Sequence, residues 1–374
     1  MRDTRSLREL NRATLARQAL LERVRGPVAT VVGRLAGLQA QHADPPYIAL
    51  WSRRASHTIA DLEAALLDRS VVKATLMRST LHLVAATDYP AYDAATAEAR
   101  VANWRATARR VGVDVEKLHA SLLKYCDEPR TVAEMEPWIE KRAPGLGSAA
   151  PAGVRNTAFR AASAGGGLVH VPPSGLWRSH GKPRYVAARS WLGGLDAPSP
   201  DDALRIAVER YLVAYGPASI ADIGKWLGRP RLPRIKAAVA ALGERIVQSK
   251  AEDGRALVDI AGSPLPSPDQ PAPPRFLSRW DSALIGYDVR DRILPAGHTA
   301  AVAKANADFL PTFLVDGFVA GLWSIETRGD EAVLRLEPFA KLSAADRRAL
   351  EDEGEGLARF HEPDARHHGV DWVG

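Results

Sequence analysis

What most constrains the fold of this chain is a unit that recurs three times before a proline-rich break. Short helices opened by polar caps are followed each time by two short strands around a turn. In residues 1–87 an apolar helical pattern runs through Leu7, Leu10, Leu15, Ala19 and Leu20, breaks at Gly26-Pro27, and resumes at Val28, Val31, Val32, Leu35 and Leu38. Residues three and four apart share a helical face, so each stretch predicts a helix with one buried stripe. A third helix is expected over 60–67, then strands over 71–76 and 81–84 around a turn near Arg78-Ser79. In residues 88–195, Thr131-Val132-Ala133-Glu134 has the spacing of a capping box, in which hydroxyl and carboxylate satisfy each other's free backbone N–H groups. A helix over 153–164 and strands over 168–171 and 184–187 follow. In residues 196–261, Ser219-Ile220-Ala221-Asp222 is a second such cap. Residues 233–242 form the next helix, with proline at a tolerated first-turn position. Strands over 245–248 and 256–260 flank Asp253-Gly254, a hairpin turn signal.

Helices followed by a β-hairpin is the order of a winged helix, a helix-turn-helix relative that often binds DNA. The expected fold class is α+β: three tandem winged-helix units (1–87, 88–195, 196–261), a linker at 262–274 and a β-rich module over 275–374. Six prolines in the linker rule out a packed element there. In the last module, 313–315 and 318–320 surround Asp316-Gly317, 323–326 pairs with 332–336, and an amphipathic helix runs over 344–360. His367-His368 falls in an exposed tail. The acids around it (Glu362, Asp364, Asp371) match no metal-ligand spacing, so neither metal nor cofactor is expected.

Composition excludes more than it identifies. A net charge of +6 and pI near 9.5 permit an anionic partner. Ten lysines against forty arginines is a bias that a GC-rich genome also produces, although arginine is the better phosphate and guanine ligand. A lone cysteine, Cys126, excludes an intrachain disulfide and any multi-cysteine zinc site. With no signal peptide and no apolar run near the ~20 residues of a membrane span, a cytoplasmic bacterial protein is expected.

The chemistry concentrates in Leu38-Gln39-Ala40-Gln41-His42-Ala43-Asp44-Pro45-Pro46-Tyr47, followed by Trp51 and Arg53-Arg54. On a helix, positions i and i+2 point about 200° apart, so Gln39 and Gln41 act at one place only if the helix ends near Leu38. Pro45 and Pro46 supply a reason for it to end soon after. Two neutral amides held there could orient a water or read a base edge, but could not act as a strong base. The alternative is a helix C-terminus drifting into a loop.

Gln-x-Gln followed by His-x-Asp-Pro-Pro-Tyr, with Arg78-Ser79-Thr80-Leu81-His82-Leu83-Val84 downstream, resembles the winged-helix DNA glycosylases of the AlkZ and YcaQ type. Pro274–Asp281, Asp288–Leu294 and Val315–Trp323 continue the resemblance in order, from about Leu7 to about Phe360. YcaQ-type members carry an acid where Gln41 stands, so the chain is AlkZ-like, and the resemblance implies that Gln39 and Gln41 position the hydrolytic water. No lysine occurs in the first 72 residues, so a Schiff-base nucleophile is missing from this region and monofunctional hydrolysis is expected. With so little base strength the leaving group must do much of the work, as a cationic N7-alkylguanine does. Asp44 is the alternative acid, or fixes the turn. Tyr47 and Trp51 are possible accessory residues. Arg53, Arg54, Arg78, Arg279, Arg290 and Arg292 are candidate DNA contacts, with His82 either beside them or packed. Trp51, Trp280 and Trp323 are core aromatics or stack on a base. The expected partner is double-stranded DNA with alkylated or crosslinked bases, bound by a monomer. A non-catalytic winged-helix transcription regulator is the alternative, but it would normally dimerise on a palindrome and leaves the glutamine pair without a role.

Overall fold

The computed structural model describes residues 4–149, 155–194, 196–305 and 308–373, and the side chain of Asn103 is not among those described. The chain is α+β, with three sheets among the described residues. Both expected capping boxes form: Thr131 with Glu134 opens Val132–Glu140, and Ser219 with Asp222 opens Ile220–Leu227. The Asp222 carboxylate also accepts from the Asp288 backbone N–H at 2.7 Å, so the cap ties residues 196–261 to the C-terminal module.

The first two hairpins do not stand as separate wings. Val71–Thr75 and Leu81–Ala85 pair with each other, and Val71–Thr75 then pairs with Leu168–Val171 through Lys73 opposite His170 and Ala74 opposite Val169. Leu38–Gln39 and Arg130–Thr131 close the two edges of the resulting six-stranded antiparallel sheet. One face carries Val72, Ala74, Val84, Val169 and Val171 against the helix Pro200–Tyr215 and Trp226. The other carries Val71, Leu83 and Leu38 against the first-unit helices Val28–Arg34, Pro45–Trp51 and Ile59–Leu67. The helices Tyr89–Arg110 and Val115–Tyr125, for which the sequence carried no expectation, complete the second unit. The helix expected over 153–164 spans Thr157–Ala162, and its expected start lies outside the described residues.

The third hairpin, Ile246–Ala251 with Ala256–Ile260, gains Thr4–Arg5 as a parallel third strand. The helix Leu7–Arg17 accordingly leaves the first unit and lies along the third unit, the linker and the C-terminal module. Its arginines hold the linker backbone: Arg8 Nε donates to Pro268 O (2.8 Å), Arg12 Nε to Gln270 O (2.7 Å) and Arg17 Nε to Pro264 O (3.2 Å). The linker has no regular secondary structure, as expected. The C-terminal module is a five-stranded sheet covered by the helix Ala344–His361. The supposed tail around His367 is instead a six-residue strand, His367–Trp372, parallel to Glu331–Pro338. No cluster of metal-ligating side chains occurs among the described residues. Nor is any described helix long and apolar enough to cross a membrane.

Candidate active site

The helix Val28–Arg34 ends earlier than the sequence pattern suggested. The chain turns through two left-handed residues, Ala36 and Gly37, and enters the edge strand Leu38–Gln39. At Gly37 a Cβ would come within 2.9 Å of Val84 Cγ1 and 3.2 Å of Leu83 O, so this approach to the neighbouring strand requires glycine. The conflict between i and i+2 in a helix disappears, because Gln39 is in a strand paired with His82 and Gln41 follows it in a bend. Pro45 and Pro46 do not stop a helix. They occupy the first turn of the next one, Pro45–Trp51, where a missing N–H costs nothing.

Gln39 is half-buried, and its Oε1 accepts from Arg78 Nη2 at 3.0 Å. The same Nη2 lies 3.2 Å from His82 Nε2, while His82 Nδ1 lies 3.0 Å from Thr80 O. A carbonyl only accepts, so Nδ1 carries the proton and Nε2 accepts from Arg78. Burial, and then the adjacent guanidinium, push the His82 imidazole down to about 3, keeping it neutral. Arg78 itself sits in a turn whose residues 78 and 79 are both left-handed (φ 56° and 58°) and donates through Nη1 to Trp226 O at 3.3 Å. Gln41 is exposed, and its Oε1 lies 3.4 Å from the Leu81 N–H, a weak contact.

Gln41 lines a cleft of about 820 Å³ between the first and second units, with Arg100, Trp104, Arg110, Arg160, Lys182 and Tyr185 among its walls. Arg160 and Lys182 are exposed and have no ion-pair partner among the described residues. Glu136, the one carboxylate lining this cleft among the described residues, accepts from the Phe159 N–H at 3.0 Å. None of these residues carried a sequence signal. They come from elements far apart in the chain and meet only because the two hairpins share a sheet. Beside Gln41, the exposed His42 stacks on Trp280 with ring centroids 5.2 Å apart.

Lys73, the first lysine of the chain, lies one residue from the position opposite His82, so alternation puts its side chain on the other face of the sheet from Gln39 and His82. There it packs against Gly175, and burial pushes its ammonium down to about 8.

The arginines expected on DNA divide sharply. Arg53 is fully buried, bidentate to Asp281 at 2.9 and 2.6 Å. Arg292 is fully buried, donating to Pro217 O at 2.8 Å and stacked on the Tyr287 ring. Neither reaches a phosphate without dismantling the core, and His82, buried behind Arg78, does not either. Arg54 is held by Asp61 (2.9 Å) and Gly26 O. Arg290 is half-buried over Phe309, and Arg279 lies 3.6 Å from Asp308 beside Trp280. Tyr47 is buried and donates to Gly175 O at 3.0 Å. Trp51 packs on Phe360 under Arg23, and Trp323 is a core residue donating to Leu277 O. Asp44 makes no capping bond and lines a cavity of about 400 Å³ with Arg279, Trp323 and His361, whose lining residues are distinct from those of the Gln41 cleft.

Three comparisons bear on this geometry. The family model for AlkZ-like DNA glycosylases matches residues 32–360. The interstrand DNA cross-link repair glycosylase of Streptomyces sahachiroi is 26% identical over 363 residues, covering 92% of this chain and 94% of that protein. The solved structure of Streptomyces sahachiroi DNA glycosylase AlkZ superposes with a TM-score of 0.80 over 99% of this chain and all of that one, and at 23% identity it shows a shared fold. The family match takes in the glutamine pair, the Arg78 turn and the C-terminal module alike, and the chain belongs to the AlkZ-like DNA glycosylase family.

Proposed function

We propose that this glycosylase hydrolyses the N-glycosidic bond of cationic N-alkylated purines in double-stranded DNA, N7-alkylguanine foremost, without a covalent enzyme intermediate. The observation that carries this reading is the pair of neutral amides: Gln41 lines a cationic cleft, and Gln39, two residues before it, is held by Arg78. Amides orient a water but barely polarise it as a base near neutrality. Departure of a base that is already cationic relieves its charge and asks little of the nucleophile. A neutral base would need a stronger acid or base than these amides, and Glu136, the one carboxylate lining the cleft among the described residues, is engaged with the Phe159 N–H at 3.0 Å.

Interstrand cross-links fit the same reading. The Streptomyces relative carries cross-link repair in its name, and the open cleft suits a base tied to the opposite strand, which cannot swing out freely. We read the three helix-and-hairpin units as winged helices arranged around one DNA site. In this reading the working form is a monomer that acts on the chromosome in the cytoplasm. Arg160 and Lys182, exposed and without carboxylate partners among the described residues, would meet phosphates.

The test is incubation with a duplex carrying N7-methylguanine and, in parallel, the same duplex carrying uracil, followed by detection of heat-labile abasic sites. Excision of N7-methylguanine alone is expected. Comparable rates on both would refute the dependence on leaving-group charge and turn attention to Asp44. Sequence-specific binding with no excision would return the chain to the regulator reading. Gln41→Ala should slow excision at least tenfold, about 1.4 kcal/mol in barrier, with little change in DNA affinity. Unchanged activity of the Gln39→Ala, Gln41→Ala double variant would make the pair structural.

A further inference from the structure

The two glutamines are held unequally, and the difference assigns them different chemistry. An amide side chain offers a carbonyl at one end and an NH2 at the other, and the ends are nearly isosteric, so either can face a substrate. At Gln39 the choice is made by its neighbour. Arg78 has only donors, and Nη2 carries two hydrogens facing two acceptors, Gln39 Oε1 at 3.0 Å and His82 Nε2 at 3.2 Å. His82 accepts there because its other nitrogen is committed to Thr80 O. The arrangement is fixed from the far side as well. Trp226 O accepts from Nη1, and a Cβ on Gly228 would lie 3.1 Å from Arg78 N, so the helix end at 226–228 presses on the Arg78 turn.

We propose that Arg78 is a positioning residue that holds the Gln39 carbonyl, so that Gln39 meets the substrate as a hydrogen-bond donor through its NH2 group. This rests on the glycosylase reading above. A donor cannot draw the proton of a nucleophilic water. Gln39 therefore binds an acceptor, either a keto oxygen or ring nitrogen of the departing purine or an oxygen of its sugar-phosphate. Gln41, whose Oε1 has only the 3.4 Å contact to Leu81 N–H, is free to turn its carbonyl to the water. Arg78 thereby leaves the set of phosphate contacts and joins the machinery behind the pair.

The experiment compares single-turnover excision of N7-methylguanine, at saturating enzyme, with affinity for the same duplex. Arg78→Ala should lower the saturated rate about tenfold and leave the dissociation constant within about twofold. Added guanidinium should restore much of the rate, and Arg78→Lys should retain more of it than Arg78→Met. Gln39→Glu keeps the acceptor that Arg78 needs but loses the donor, so it should be as slow as Gln39→Ala while remaining as stable as the unaltered protein. A loss of affinity with an unchanged saturated rate would make Arg78 a phosphate contact and overturn the assignment, as would full activity of Gln39→Glu. Should the unaltered protein excise nothing, the functional reading fails on its own. The contact is then judged by thermal unfolding of Arg78→Met, Gln39→Leu and their combination. Midpoint shifts that are non-additive by about 2 °C or more support the hold, and strict additivity overturns it.

Discussion

Along the seams where the helix Leu7–Arg17 meets the third unit and the C-terminal module, and where the first unit meets that module, arginines are saturated from within. Arg12 bonds Asp316, Gln270 O and Asn11; Arg17 is bidentate to Asp259; Arg53 is bidentate to Asp281. All three are buried. Around the glutamine cleft the cations are mixed. Arg100 is buried and paired with Asp93, Arg78 meets an amide and an imidazole, and Arg160 and Lys182 project without an ion-pair partner among the described residues. The same residue type is thus a structural rivet at the seams, while the cleft also holds cations available to a ligand. What separates the two is whether the fold places a carboxylate within reach. A guanidinium that has already exchanged water for a bidentate carboxylate gains little from phosphate and loses much by moving.

The sharpest way to break this contrast is at Arg53. Asp281→Asn leaves a buried guanidinium without its counter-charge and should cost about 3–5 kcal/mol in urea unfolding, because one partner of a buried pair is worth more lost than the pair is worth kept. Replacing both, Arg53→Met with Asp281→Leu, should recover much of that loss. If Asp281→Asn instead weakened DNA binding at unchanged stability, Arg53 would belong with the cleft.

Histidines follow the same division and give the next largest effect. His57, His82 and His170 are buried, and burial pushes them down to about 4, 3 and 3, helped by Arg54, Arg78 and Lys73 respectively. Their folded-state values lie below the unfolded value of about 6.5, so the unfolded chain takes up the protons first. Stability is therefore intact above pH 6.5 and falls as the pH drops toward 4, by about 1 kcal/mol per histidine between pH 7 and 5.5. Unfolding midpoints in urea across that range measure it, and His170→Gln should remove about 1 kcal/mol of that fall. A flat profile would mean that these rings are solvated and that the packing around His82 is looser than its hydrogen bonds indicate.

Much of this was legible in the sequence, and the limits have physical causes. Local signals held: Thr131 and Ser219 cap their helices, Asp253-Gly254 turns a hairpin, and the linker is irregular. Long-range pairing was not legible, because nothing near Lys73 announces His170 as its partner across almost a hundred residues. The merging of two hairpins into one sheet, and the cleft it creates, follow from that pairing alone. The strand His367–Trp372 was hidden by its polar sequence, which suits a half-exposed edge. The glutamine pair was visible as a motif. Its geometry was misjudged because the pattern through Leu35 and Leu38 reads as continuing helix, whereas Gly37 turns the chain into a strand. Arg53 and Arg78 look alike in sequence, and only Asp281, some 230 residues on, tells them apart.

A smaller effect tests the cleft side directly. If Arg160 and Lys182 meet phosphates, Arg160→Ala and Lys182→Ala should each reduce the dependence of log affinity on log salt by about 0.9 and weaken all sequences about equally. Fluorescence anisotropy with undamaged duplex at several salt concentrations reads both. Unchanged slopes in both variants would remove this wall from the DNA footprint.

The smallest effect is expected from a third population, arginines paired on the open surface. Arg359 lies 2.9 Å from Glu355, one helical turn away, with both side chains about half exposed or more. Water screens such a pair and the long side chains lose freedom in making it, so Arg359→Ala should change stability by no more than about 0.5 kcal/mol. The helix Ala344–His361 covers the C-terminal sheet and contributes no residue other than His361 to either cavity. Excision rate and salt slope should therefore both stay as they are. That outcome would show that the net charge of +6 acts on DNA through where its cations sit. A slope reduced by about 0.9 in Arg359→Ala would place this helix on the DNA. A carboxylate partner would then not be enough to withhold an arginine, and the line drawn between seam and cleft would have to be drawn by burial instead.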